Sequence, residues 1–159
     1  EKLEAHKLGL KHKAISVFVF HENKILLQRR ALSKYHTPGL WANTCCTHPY
    51  WDETDADCAS RRLFEELQLS DLHLENRGKI EYRADVGQGL IEHEIVEIFT
   101  STCSNLPKVT PNPEEVMEVK WLDQIELANK VKTNPDEFTP WLRIYMLKHF
   151  EQISGTVTA

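Results

Sequence analysis

The chain has 159 residues, a formal net charge of −5 and 27% charged residues. This length suffices to bury one sizeable core, so we expect a single domain over residues 1–159. The acidic balance excludes general nucleic-acid binding, and no apolar run approaches the ~20 residues of a membrane-spanning helix. We expect a cytoplasmic monomer without nucleic-acid or membrane partners. Because the sequence begins at Glu1 and not at Met, we also expect a further N-terminal segment.

The first third of the chain predicts short strands and a cationic loop. Residues 13–20, "KAISVFVF", are rich in β-branched and aromatic residues, and residues 24–28, "KILLQ", follow after a short turn, which predicts a hairpin. Residues 29–39 carry three cations and end in Pro-Gly, which predicts a loop. Residues 40–46 form a further short strand candidate.

The clearest predicted helix covers residues 55–69. Apolar residues repeat every four positions on one of its faces, at Ala59, Leu63 and Leu67. Three polar residues can cap its first turn: Asp52, Thr54 or Asp55.

The remainder predicts three strands and two helices. The strands cover residues 79–84, 91–100 and 116–122, and a helix follows over residues 123–131. A last helix begins with Thr139 as its cap and Pro140 at its first position, and runs to residue 150. This order of elements indicates an α/β or α+β sandwich.

Two carboxylates stand two positions apart in the predicted strand "IEHEI". Glu92 and Glu94 therefore project from the same face of that strand. On a solvated face they would be unremarkable surface charges. On a buried face they would need a metal ion, a shared proton or cationic partners, and the flanking isoleucines favour burial.

Three of the eight histidines are candidate metal ligands. Together with the two carboxylates, His6, His12 and His48 would suit zinc, manganese, iron or magnesium-like ions. Each of them taken singly is more typical of a surface or core histidine, and spacing alone does not bring them together. The other five are interpreted as structural: His21, His36, His73, His93 and His149.

A set of cations and a set of aromatic residues could bind a charged substrate. Five cations suit a diphosphate: Arg29, Arg30, Lys34, Arg61 and Arg62. Of these, Arg61 and Arg62 also form ordinary helical pairs with Glu65 and Glu66. The candidate aromatic residues are Trp41, Trp121, Trp141 and Tyr82. Such residues are typical of a core, but the face of an aromatic ring can also stabilise a cation.

The stretch "NTCCTHP" at residues 43–49 contains adjacent cysteines. Neighbouring cysteines seldom meet disulfide geometry, and no second cysteine pair completes a zinc ribbon. A catalytic thiol and an inert buried thiol remain as alternatives. In an extended segment Cys46 and His48 share a face, whereas Cys45 points the other way and packs in the core.

Four stretches together resemble the type I isopentenyl-diphosphate isomerases: "RRALSKYHTPGLWANTCCTHP" (29–49), "EYRADVGQGLIEHEI" (81–95), "EEVMEVKWL" (114–122) and "FTPW" (138–141). The similarity covers nearly the whole chain. It implies a Nudix-like α/β/α sandwich with a mixed β-sheet, and hence the α/β fold class. It also implies a metal-dependent isomerase of isoprenoid synthesis that interconverts isopentenyl and dimethylallyl diphosphate.

The same resemblance implies roles for individual residues. The catalytic groups would be Cys46 and Glu94, with Tyr82 beside them, and Trp141 would face the cationic intermediate. Magnesium at the substrate diphosphate would be bound by Glu66 and by the backbone carbonyl of Cys46. A second ion, which could be manganese, zinc or magnesium, would have five ligands: His6, His12, His48, Glu92 and Glu94. The small-molecule diphosphate substrate would be bound by four cations: Lys2, Arg30, Lys34 and Arg62.

The chemistry fits these residue types. Moving the double bond requires a proton added to an alkene, which gives a tertiary carbocation, and a proton removed on the other side. The resemblance favours Glu94, acting through Tyr82, as the donor and Cys46 as the group that removes the proton. Trp141 would keep water from the cation and stabilise it.

The Nudix hydrolase pattern G-x5-E-x7-R-E-U-x-E-E-x-G-U, in which U is a bulky aliphatic residue, is broken here. Thr47 and Gln68 replace its glycines, and Arg62 replaces the glutamate of its Arg-Glu pair. The loss of that carboxylate favours isomerisation over pyrophosphate cleavage. The alternatives are a Nudix hydrolase of nucleoside diphosphate derivatives and a non-catalytic module that binds metal or diphosphate. Thr47 stands where the isomerases usually carry a small residue, and it is the feature that favours the non-catalytic module.

Overall fold

The computed structural model describes residues 2–155, apart from the side chain of Lys2. Its strands are β1 (Lys11–His21), β2 (Lys24–Arg30), β3 (Trp41–Ala42), β4 (Cys45–Thr47), β5 (Glu75–Gly87), β6 (Leu90–Cys103) and β7 (Val116–Asp123). Its α-helices are α1 (Lys2–Leu8), α2 (Asp55–Leu67), α3 (Gln124–Thr133), α4 (Pro140–Lys148) and α5 (Phe150–Ser154). None of these helices is long and apolar enough to cross a bilayer.

The strands form one mixed sheet. Its main order is β3-β2-β1-β6-β5, with β4 paired to β1 and β7 paired to β2. β1 and β6 run parallel, whereas the other pairs are antiparallel. The predicted mixed sheet is therefore confirmed, and β1 lies at its centre.

Helices cover both faces of the sheet, and the alternation along β1 shows why. Ile15, Val17 and Val19 point into a core that includes the apolar face of α2. Phe18 and Phe20 point into a second core, on the opposite face, with side chains of α3, α4 and α5. The predicted α/β/α sandwich is confirmed.

Helix α2 forms as its pattern predicts. Ala59, Leu63 and Leu67 are buried, and the Thr54 hydroxyl caps the first turn by accepting from the backbone N–H of Asp57 at 3.1 Å. The helix ends two residues earlier than predicted because Gln68 adopts a left-handed conformation, with a φ of 54°.

Four sequence-based boundaries are wrong. β5 covers Glu75–Gly87 and not residues 79–84 alone. The predicted strand over residues 40–46 is split in two, because the Asn43 and Thr44 side chains bond to backbone groups of β1 and β2. Arg29 and Arg30 belong to β2 and not to the following loop. The last helix ends at Lys148, and a separate short helix follows. Helix α1 was not predicted.

Candidate active site

The register of four strands assembles the site on the face covered by α4. β1 and β6 place His12 opposite Glu94, and β5 and β6 place Tyr82 opposite the same glutamate. β4 places Cys46 opposite Ser16 on β1. Because these residues belong to neighbouring strands in fixed register, the predicted catalytic groups come together on one surface.

Glu94 is bracketed by two histidines. Its Oε1 lies 3.1 Å from Nε2 of His12 and 3.0 Å from Nε2 of His48. Burial alone would raise the pKa of Glu94, but the hydrogen bonds of the two histidines lower it. The pKa of His12 is raised, chiefly by its bond to Glu94. Glu94 is therefore an ionised carboxylate near neutral pH.

Glu92 is bracketed in the same way, by a different pair. Its Oε1 lies 3.4 Å from Nε2 of His6 and 3.3 Å from Nε2 of His36. The interpretation of His36 as merely structural missed this contact. No periodicity indicated it, since His36 lies in the loop between β2 and β3 and reaches the site only in the folded chain.

Tyr82 links the two carboxylates. Its hydroxyl lies 2.7 Å from Oε2 of Glu92 and 2.9 Å from Oε2 of Glu94, so a single proton is shared between them. Burial raises the pKa of Tyr82 well above its usual value, and the neighbouring charges act in the same direction. The phenol therefore keeps its proton beside both carboxylates.

The histidines and carboxylates could hold a divalent metal ion. The donor atoms form two groups, and within each group they all lie within 4.8 Å of one another. His6 belongs to both groups. The first is His6, His12, His48 and Glu94, and the second is His6, His36 and Glu92. The five predicted ligands are therefore divided between two groups that share His6, and Glu92 falls in the second group with His36.

Cys46 presents its thiol to the same pocket. The S–H donates to Oδ1 of Asn43 at 2.9 Å, and the Ser16 hydroxyl donates to the sulfur at 3.4 Å. Burial raises the pKa of Cys46 to about 12, so the thiol carries its proton near neutral pH. Cys45 is fully buried in the opposite core beside Cys58, as alternation predicts.

Arg30 is a buried cation without an ion pair. It is 8% exposed, and none of residues 2–155 places a carboxylate oxygen within 4.0 Å of its guanidinium. One nitrogen donates to the carbonyl of His36 at 3.2 Å, and its Nε has no hydrogen-bond partner among the described residues. The guanidinium carbon lies 5.2 Å from the ring centroid of Trp141. Burial of such a cation is unfavourable unless a charged or polar partner compensates for it.

The other predicted cations already have carboxylate partners. Nζ of Lys34 lies 2.6 Å from Oε2 of Glu115. Nη2 of Arg62 lies 2.6 Å from Oε1 of Glu66 and 3.5 Å from Oε1 of Glu115, so the guanidinium lies between these two carboxylates. Glu66 also accepts from Nε2 of Gln28 at 2.9 Å. The side chain of Lys2 lies outside the described part of the structure.

Most of the predicted site residues, though not His6, His12 or Glu66, line a mostly polar pocket. Its lining includes Cys46, Thr47, Tyr82 and Trp141, together with the cations Arg30, Lys34 and Arg62. Trp141 is buried, and its indole N–H has no hydrogen-bond partner within residues 2–155. Neighbours that the sequence did not single out complete the surroundings of the thiol and the histidines: Ser16, Tyr35, Asn43 and Tyr145.

Comparison with known proteins gives a consistent result. The family model described as the NUDIX domain matches residues 10–142. The isopentenyl-diphosphate Delta-isomerase of Dinoroseobacter shibae is 63% identical over 156 residues, which are 98% of this chain and 89% of that protein. The enzyme of the same name from Rhodobacter capsulatus is 56% identical over 159 residues, which are 100% of this chain and 90% of that protein.

Solved structures support the fold. A MutT Nudix hydrolase from Burkholderia pseudomallei aligns with a TM-score of 0.67 and 16% identity, covering 87% of this chain and 98% of that one. The Nudix domain of NrtR from Shewanella oneidensis, solved with ADP ribose, gives a TM-score of 0.66 and 19% identity, covering 93% of this chain and 89% of that one. At these identities the likeness is one of fold.

Proposed function

The chain belongs to the family of isopentenyl-diphosphate Delta-isomerases built on the NUDIX domain, and from this membership we propose that it interconverts isopentenyl and dimethylallyl diphosphate. The observation that carries the proposal is the composition of one pocket. Arg30, which lacks an ion pair, lies in the same pocket as two proton-transfer groups, the Cys46 thiol and the Glu94–Tyr82 pair.

The cations of the pocket would bind the substrate diphosphate. Arg30 offers a guanidinium that no carboxylate of residues 2–155 occupies, and Lys34 and Arg62 line the same pocket. Guanidinium groups bind phosphate oxygens through paired, charge-assisted hydrogen bonds. Lys2 would add a further cation, as the family resemblance implies.

The isomerisation would be divided between two groups. The reaction adds a proton to the alkene and removes one from a neighbouring carbon, so two separate groups are needed. The Cys46 thiol, which holds its proton, would give it to the alkene on one side of the substrate, and Glu94, which is ionised, would accept a proton from the other side through the Tyr82 hydroxyl. For the opposite assignment, with the Glu94–Tyr82 pair as the donor, Cys46 would have to lose its proton first. Trp141 would face the carbocation and exclude water from it.

The residues present fit a divalent ion at the histidine centre. Imidazoles and buried carboxylates favour zinc or manganese, and magnesium is the third candidate. His6, His12, His48, Glu92 and Glu94 would hold it. The bound ion would supply positive charge that keeps Glu94 oriented and tunes its acidity.

Magnesium would bind with the substrate diphosphate. Glu66 and the Cys46 carbonyl would hold it, since oxygen donors are those that magnesium prefers. In the ligand-free protein Glu66 is paired with Arg62, which also bonds to Glu65 at 2.8 Å. This arginine neutralises the helix carboxylates on which a Nudix hydrolase would cluster its metals, so the pairing favours isomerisation over hydrolysis.

Incubation of the metal-loaded protein with isopentenyl diphosphate and magnesium tests the proposal. Dimethylallyl diphosphate is the expected product, and its absence would overturn the proposal. Release of phosphate from nucleoside diphosphate derivatives would indicate a hydrolase. Elution as a monomer in size-exclusion chromatography would support the monomeric state that the sequence predicts, and the cytoplasmic location stays a prediction.

The variant Cys46→Ala should lose most of the turnover, because the thiol is one of the two proton-transfer groups. We expect kcat to fall by a factor of about 10²–10⁴ or more, with an unchanged circular dichroism spectrum. The matched control is Cys103→Ala, since Cys103 is a partly buried thiol at the end of β6, outside the pocket. Equal activity of the Cys46 variant and wild type would remove Cys46 from the mechanism.

A further inference from the structure

His36 is a fourth histidine at the centre, in addition to the three that the family resemblance assigns. It is buried, and its Nε2 faces Oε1 of Glu92 at 3.3 Å. His6 faces the same oxygen at 3.4 Å, and the two imidazole centroids lie 5.1 Å apart. His36 therefore has the same relation to Glu92 that His12 and His48 have to Glu94.

The orientation of the His36 ring is held at its other nitrogen. Nδ1 lies 2.9 Å from the Thr37 hydroxyl, and Thr37 is buried with a φ of 49°. Of the described non-glycine residues with positive φ, Thr37 alone is β-branched. Such a conformation is unfavourable and persists where the surroundings enforce it. The strained residue thus fixes the imidazole with Nε2 directed at Glu92.

The dimensions of the second donor group suit a metal ion. Two of its donor separations are 3.3 and 3.4 Å, and the third is no more than 4.8 Å. A triangle of this size has a centre no more than about 2.4 Å from each corner, close to the bond lengths of zinc with nitrogen and oxygen donors. Each corner is also a donor type that transition metals accept.

We propose that His36 is a further ligand of the metal centre. An ion held at the second donor group would have His6, His36 and Glu92 as its ligands. His6 also belongs to the first group, with His12, His48 and Glu94, so His36 would add a ligand next to the ligands that the family resemblance assigns. The proposal rests on the metal centre of the proposed function but not on the isomerisation itself, so metal binding tests it without substrate.

The experiment is a titration of the metal-free protein with Co²⁺, in competition with a chromophoric chelator. The variant His36→Gln should bind Co²⁺ about 10- to 100-fold more weakly, and the d–d absorption of the bound ion should change. The matched control is His93→Gln, because His93 lies between Glu92 and Glu94 in the chain but bonds to Glu81 at 3.0 Å. Its Co²⁺ affinity and spectrum should match those of the wild type.

A second pair of variants tests the proposal in case His36→Gln does not fold. Thr37→Val removes the hydroxyl that holds the ring, whereas Thr37→Ser keeps it. We expect weaker Co²⁺ binding in the valine variant and recovery in the serine variant. Wild-type affinity and spectrum in His36→Gln would overturn the proposal. If that variant does not fold, equal Co²⁺ binding by the two Thr37 variants would overturn it, whether or not the protein is an isomerase.

Discussion

At the scale of single residues, the site contains buried polar groups that lack a full set of partners among residues 2–155. Arg30 is buried without a carboxylate partner, and the indole N–H of Trp141 has no acceptor among the described residues. Buried polar groups of this kind destabilise a fold unless a ligand completes them. If the diphosphate binds in this pocket as proposed, its binding would offset this unfavourable burial.

Replacement of Arg30 should therefore separate stability from function. We expect Arg30→Met to raise the free energy of unfolding of the ligand-free protein by about 1–2 kcal/mol, because it removes a buried, unpaired charge. The same variant should raise KM for isopentenyl diphosphate about 10- to 100-fold, since a charge-assisted contact is lost. Urea denaturation and steady-state kinetics measure the two effects.

The neighbouring Arg29 is the control for this prediction. Its side chain is more exposed, and its Nη1 lies 3.9 Å from Oε1 of Glu118. Arg29→Met should therefore change neither the free energy of unfolding nor KM by much. A destabilised Arg30→Met protein with an unchanged KM would contradict the assigned role.

At the scale of elements, each strand contributes to the core and to the site by strict alternation. On β6 Glu92 and Glu94 point to the site, whereas His93 between them bonds to Glu81 on β5. Because of this alternation, the sequence predicted that Glu92 and Glu94 share one face of their strand and that Cys46 and His48 share one face of theirs. Alternation says nothing about the loop after β2, so His36 was missed, and His6 was assigned only through the family resemblance.

The segment that leads into α2 gives a pH-dependent prediction. Two hydrogen bonds from Arg61, at 2.6 and 2.9 Å, lower the pKa of Glu53 to about 2. Because the pKa is lower in the folded protein, this ion pair stabilises the fold at neutral pH, and its contribution is lost as the pH falls from about 4.5 towards 2. Glu53→Gln should therefore be less stable than wild type at pH 7, and the difference should vanish near pH 2.

Urea denaturation at several pH values measures this difference. Glu126→Gln is the control, because Glu126 forms only an exposed pair with Lys130 at 3.3 Å. A Glu53→Gln difference that stays constant from pH 7 to pH 3 would show that Arg61 does not act through the charge of Glu53.

At the scale of the whole molecule, the fold was predictable from the sequence, whereas the detail of the site was not. The hydrophobic periods of β1 and α2 and the cap at Thr139 predict the positions of these elements, whereas the α/β/α layers follow from the family resemblance. The unpaired state of Arg30 and the bond between His36 and Glu92 depend on how distant segments pack, which local patterns do not encode. The resemblance to a family provided residue roles, and the structure provides the geometry on which those roles rest.

Metal binding should stabilise the entire domain, because the donor set joins α1, β1, β6 and the segment after β4. An ion present at about 100 times its Kd adds about 2.7 kcal/mol, and we expect the midpoint of thermal unfolding to rise by about 5–10 °C. Differential scanning calorimetry of chelator-treated protein with and without added Zn²⁺ or Mn²⁺ measures the shift. Ca²⁺, which prefers oxygen donors, should have a smaller effect, and equal midpoints with and without Zn²⁺ or Mn²⁺ would argue against a metal centre.

The parallel pairing of β1 with β6 also limits how the chain can change in length. Along β1 Ile15, Val17 and Val19 fill the core beneath α2, while His12 and Ser16 face the site. Deleting one residue from β1 would exchange the two sets, so the protein would lose its core and its chemistry in one step. Insertions should be accepted at the exposed residues 104–106, just after β6, but not near Glu115, which pairs with Lys34 and Arg62. This architecture therefore permits changes in loop length but not in the lengths of β1 and β6.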